Sequence, residues 1–185
     1  SSSSSRLRRN SSRFCCSSSA KTTICGILYL VIQKVLLSGL PLFAKGVLQS
    51  LDSARDKSHT TILALQGDLG AGKTTFTQAL ARELGISETI QSPTYVLMKK
   101  YEVTQGETLY NKVSPWKTLV HIDAYRLNNA EEFAALKPEQ FLNDPKVLVV
   151  VEWPEKVEGA LPKAALTLNF SSQDAEGGER YIEVV

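Results

Sequence analysis

Gly67-Asp68-Leu69-Gly70-Ala71-Gly72-Lys73-Thr74 places a glycine, four residues, a second glycine, a lysine and a hydroxyl in the order that cradles phosphate. The glycines let the backbone curl so that successive N–H groups point inward, and a helix opening at Lys73 adds its positive N-terminal end. In such a cradle Lys73 reaches the β and γ phosphates of a triphosphate, and the Thr74 hydroxyl holds Mg²⁺.

A magnesium-bound triphosphate also needs an acid beside the loop. Asp123 and Glu152 each end an apolar run, the place from which a carboxylate approaches the metal; the alternative is a structural cap at each strand end. His121 stands two residues before Asp123, hence on the same strand face, either bonded into the site or simply structural. Ser92-Pro93-Thr94 lies between the first helix after the loop and the next strand, where ATPases of this kind sense the γ phosphate. It also reads as an ordinary turn.

The elements that would position these groups follow from hydrophobic periodicity. Leu37, Leu40, Phe43, Ala44, Val47, Leu48 and Leu51 form one helical face, and Lys73 to Leu84 a second helix stopped by Gly85. Ile62 to Gln66, Tyr95 to Val103, Leu119 to Asp123 and Val147 to Glu152 read as strands. Ala130 to Leu136 and Pro138 to Leu142 read as short helices, and Ala165 to Phe170 and Arg180 to Val185 as strands joined by a turn. The expected fold is α/β of the phosphate-loop NTPase class: a mostly parallel sheet covered by helices on both faces, its C-terminal strands forming an antiparallel edge. Thr104 to Trp116 reads as a polar surface loop.

Charge divides the chain of 185 residues, although its formal net charge is only +2. Residues 1–51 carry seven Lys or Arg and no Asp or Glu, while the remainder sets 14 basic residues against all 19 acidic ones. Ten of the first twenty residues are serine and four are arginine, the composition of an organellar transit peptide. Residues 1–35 are therefore expected to be an import segment for a plastid or mitochondrion, with residues 36–185 the folded domain; otherwise the protein is cytoplasmic. Cys15, Cys16 and Cys25 all precede residue 26, so the folded part has no disulfide framework and no thiolate metal site. The apolar run from Ile24 to Ile32 falls short of the roughly 20 residues of a spanning helix, and no stable membrane association is expected.

Four motifs, taken in order, resemble the TsaE family: Gly67 to Phe76, then Ser92-Pro93-Thr94, His121-Ile122-Asp123-Ala124-Tyr125-Arg126-Leu127, and Glu152-Trp153-Pro154-Glu155. The resemblance covers about Leu36 to Val185. It implies the ATPase subunit of the machinery that makes N6-threonylcarbamoyladenosine in tRNA, with ATP and Mg²⁺ as cofactors. Its partners would be a TsaD-like transferase, which performs the transfer chemistry, and a TsaB-like subunit. Carried over by position, Gly67, Asp68, Leu69, Gly70, Ala71, Gly72, Lys73, Thr74, Thr75 and Arg180 bind nucleotide, and Thr74, Asp123 and Glu152 serve the metal. Lys73, Thr94, Asp123 and Glu152 form the catalytic set, with Thr94 as the switch residue. Trp153 is either a packing residue or part of a partner-dependent site. The chain departs from the family pattern in a longer Thr104–Trp116 loop and in lacking the customary threonine near Leu40 to Ala44.

Other classes fit less well. A metabolite kinase closes an arginine-bearing lid over the transferred phosphate, yet Leu127 to Glu179 contains no arginine. A GTPase is disfavoured because Asn111-Lys112-Val113-Ser114 lacks the aspartate that reads guanine. A nucleotide-gated assembly factor with no required hydrolysis stays open. The acidic balance of the folded part leaves tRNA contact mainly to the partners.

Overall fold

A computed structural model describes residues 32–104, 113–171 and 179–185. One seven-stranded sheet runs β1-β7-β6-β2-β5-β4-β3. The strands are β1 (Ile32–Leu36), β2 (Thr61–Gly67), β3 (Met98–Glu102), β4 (Thr118–Asp123), β5 (Val147–Glu152), β6 (Leu166–Ser171) and β7 (Glu179–Val184). The helices are α1 (Leu40–Ala54), α2 (Lys73–Glu83), α3 (Ala130–Ala134) and α4 (Glu139–Leu142).

The four inner strands β6, β2, β5 and β4 are parallel, so their C-terminal ends line one edge of the sheet. Ligands of open α/β sheets bind outside those ends. β5 explains the centre by composition: Val147-Leu148-Val149-Val150-Val151 is β-branched or apolar throughout and buried at every position, as a strand covered on both faces requires. On one face α1 and α2 pack Leu48, Leu51, Phe76 and Leu80 over Leu63, Leu65, Leu148 and Val150. On the other, Phe133 of α3, Phe141 of α4 and Val157 cover Ile62, Val120, Ile122 and Val149.

The C-terminal strands β6 and β7 pair antiparallel, as expected, with β6 parallel to β2; β7 is not the outermost strand, because β1 pairs with it. β1 begins at Ile32, within the segment read as an import signal, because Ile32 to Leu36 pair with Glu183 to Glu179. At the other edge β3 starts at Met98 rather than Tyr95. Pro93 to Leu97 instead form one helical turn closed by Leu97 N–H donating to the Pro93 carbonyl at 2.6 Å, with Leu97 left-handed at φ 64°. The Thr104–Trp116 loop lies mostly outside the described residues.

Gly85 ends α2 as expected. At φ 78° it lets its own N–H donate to the Arg82 carbonyl and that of Ile86 to the Ala81 carbonyl, both at 3.0 Å.

Candidate functional site

The loop between β2 and α2 is bent by glycines in conformations that side chains avoid: Gly67 at φ 118°, Gly70 at 79° and Gly72 at 103°. At Gly67 a methyl group would stand 2.0 Å from the Phe170 carbonyl oxygen, so close approach of β6 also demands glycine there. Gly72 caps α2 with no side-chain hydrogen bond, the uncapped kind of helix N-terminus at which backbone N–H groups can bind an anion.

Lys73 is buried. Its ammonium donates to the carbonyls of Gly67 at 2.6 Å and Asp68 at 2.8 Å, and lies 4.0 Å from the centroid of the Trp153 ring. A cation over an aromatic face contributes about 0.5–2 kcal/mol. Burial pushes the Lys73 pKa below its ordinary value, against the opposing pull of Glu152, Glu155, Asp123 and Asp68.

Trp153 follows β5 with φ 60° and ψ 50°, a left-handed conformation in a bulky non-glycine residue. Its N–H donates to the Leu65 carbonyl at 3.1 Å and its ring packs on Tyr125, centroids 5.1 Å apart. Strain of this kind costs on the order of 1–3 kcal/mol and collects at functional sites. Periodicity and motif spacing carried no signal for this contact between Lys73, Trp153 and Tyr125, because glycine, not tryptophan, is the usual mark of such a backbone.

The structure gives the two strand-end carboxylates different surroundings, although Asp123 and Glu152 are in register on neighbouring strands. Glu152 faces the loop: the Thr74 hydroxyl donates to Oε1 at 3.0 Å and Oε2 at 3.1 Å, and His121 Nε2 is 2.8 Å from Oε1. Asp123 faces the Ser92–Leu97 segment. Its Oδ2 accepts from the Thr94 hydroxyl and, at 3.4 Å, from Ser92; its Oδ1 accepts from Tyr125 N–H at 3.0 Å. Its own N–H donates to the Leu97 carbonyl at 3.0 Å, so the Ser92–Leu97 turn is tied to Asp123 at both ends.

Thr74 and Glu152 are thus brought together, and Thr94 and Asp123 form a second pair beside them. Thr74 and Glu152 offer hard oxygen donors and too few for a closed cage, which fits magnesium completing its shell with phosphate and water. Among the described residues no group of three or more His, Cys, Asp or Glu could hold a metal. Arg180 pairs with Val35 in β7, beyond β6; its side chain lies outside the described residues. Leu69 is exposed at the loop tip, and Ala71 is buried.

A strand, a glycine-bent loop and a helix at the C-terminal edge of a parallel core define an α/β protein of the phosphate-loop NTPase class. The family profile of "Threonylcarbamoyl adenosine biosynthesis protein TsaE" matches residues 42–182, and the chain belongs to that family. Curated relatives described as tRNA threonylcarbamoyladenosine biosynthesis protein TsaE include those of Haemophilus influenzae, 34% identical over 64% of this chain and 69% of that protein, and Synechocystis, 42% identical over 52% and 56%. The Bacillus subtilis relative is 36% identical over 58% of this chain and 59% of its own length. This chain therefore aligns with little more than half the length of the latter two. The crystal structure of Bacillus subtilis YdiB superposes with a TM-score of 0.54 at 27% identity, covering 83% of this chain and 86% of that one.

Proposed function

We propose that this chain is a magnesium-dependent ATP-binding and ATP-hydrolysing subunit required for the threonylcarbamoyl modification of tRNA adenosine. It works in complex with a TsaD-like transferase, which carries the transfer chemistry, and a TsaB-like subunit. The observation that carries the reading is the convergence of Lys73, Thr74 and Glu152 on one glycine-bent loop. Lys73 would exchange its two carbonyl partners for phosphate oxygens, and the α2 N-terminus would bind the same group. Magnesium, held by Thr74 and Glu152, would neutralise charge on the transferred phosphoryl group. Thr94, bonded to Asp123, would report the γ phosphate to the exposed Tyr95 and Val96 of the same turn; its hydrogen bond to Asp123 supports that reading.

Small metabolite kinases usually close an arginine over the transferred phosphate, whereas Arg126 here lies over the Tyr95 ring, 4.4 Å from its centroid. The acidic balance after residue 51 supports tRNA contact through the partners. Import into a plastid or mitochondrion rests on the serine- and arginine-rich first residues, which precede the family match. Among the described residues no helix is long and apolar enough to cross a membrane.

Reconstitution with TsaD-like and TsaB-like proteins, reading ADP release and modified tRNA together, tests the proposal. Hydrolysis stimulated by the partners and required for repeated modification is expected. Modification that persists without hydrolysis would make the chain a nucleotide-gated assembly factor, and a high rate without partners would make it an independent enzyme.

A further inference from the structure

His121 lies within β4, in register between Val150 of β5 and Lys99 of β3, and is fully buried. Its Nε2 is 2.8 Å from Glu152 Oε1. An ionised carboxylate only accepts, so Nε2 carries the hydrogen and donates. The other ring nitrogen, Nδ1, is buried without a hydrogen-bond partner.

That pattern is a poor way to stabilise a core. Buried polar atoms are nearly always paired, and each exception calls for a reason beyond stability. His121 uses one nitrogen on Glu152 and leaves the other bare, so a leucine of similar size would serve packing at least as well. Glu152 also receives the Thr74 hydroxyl from α2, but a hydroxyl rotates to suit its surroundings, whereas the imidazole is fixed in the middle of a sheet. Of the two donors, His121 is the rigid one.

We infer that His121 is a positioning residue: it holds Oε1 so that the Glu152 carboxylate stays turned toward Thr74, where it would serve the metal or the attacking water. The role rests on the ATPase reading; the hydrogen bond does not. Ligand-supporting groups of this kind are worth about 10–100-fold in activity or metal affinity.

The test compares His121→Leu with His121→Gln in the full chain, whose Gln N–H can reach the same oxygen. His121→Leu should lower kcat about 10–100-fold while leaving magnesium-free nucleotide affinity within about threefold and Tm unchanged or higher. His121→Gln should recover most of the rate. A leucine variant that hydrolyses ATP at the wild-type rate would overturn the role. So would a loss that glutamine does not repair and that accompanies a fall in Tm. Histidine-selective ¹⁵N NMR reads the bond independently, since the chain has only two histidines and His59 is exposed. A protonated, hydrogen-bonded Nε2 at His121 is expected. An active enzyme with unprotonated Nε2 overturns the positioning role alone; a protein inert toward ATP with the bond intact overturns the ATPase reading and takes the role with it.

Discussion

The Thr74 hydroxyl stands 3.0 Å and 3.1 Å from the two carboxylate oxygens of Glu152, although 78 residues separate them in the chain. Thr74 is the second residue of α2 and Glu152 the last of β5, and the parallel pairing of β2 with β5 brings both to the same edge of the sheet. The contact makes Glu152, rather than Asp123, the carboxylate facing the phosphate loop.

Replacing Glu152 by glutamine keeps the shape and removes the charge. If Glu152 orients water or metal, Glu152→Gln should lower ATP turnover by about 10²–10³-fold and change ATP affinity far less. Equal loss of both, measured by binding and single-turnover hydrolysis, would make Glu152 chiefly a binding group.

Gly67 and Gly70 separate two reasons for glycine in one loop. Gly67→Ala would drive its methyl group into the Phe170 carbonyl, and should cost at least about 3 kcal/mol, or about 6–12 °C in Tm. Gly70→Ala meets nothing within 4 Å and carries only left-handed backbone strain, about 1–2 kcal/mol. Thermal melts of equal depth would contradict the close approach of β6.

Lys73 lies over Trp153, and a phosphate that draws the ammonium toward itself must change the environment of that ring. Nucleotide should therefore shift the tryptophan fluorescence. The response should survive Trp116→Phe, since Trp116 is buried against Thr61, and vanish in Trp153→Phe. A spectrum indifferent to nucleotide would show that Lys73 stays where it is.

Much of this was legible because it is local. The phosphate loop, its strand and its helix occupy one continuous stretch, and apolar runs such as Val147 to Val151 name a buried strand by composition alone. What escaped depends on contacts distant in sequence. Asp123 and Glu152 look alike as acids at strand ends, and only the elements packed over them, α2 against one and the Ser92–Leu97 turn against the other, assign them different partners. β1 merges with the apolar residues before it, and its pairing with β7, more than 140 residues on, is what makes it a strand. The alternation from Tyr95 extends β3 too far in the sequence because it hides a turn closed at Pro93.

The most direct test of the central claim is calorimetric titration of Mg-ATP into the wild-type chain and Lys73→Ala. Wild-type binding should be saturable and magnesium-dependent. Lys73→Ala should weaken it at least about 30-fold, because a charge-assisted contact to phosphate is worth about 2 kcal/mol. Equal affinity in the two proteins, or no binding to either, would contradict the assignment of this loop as an ATP site.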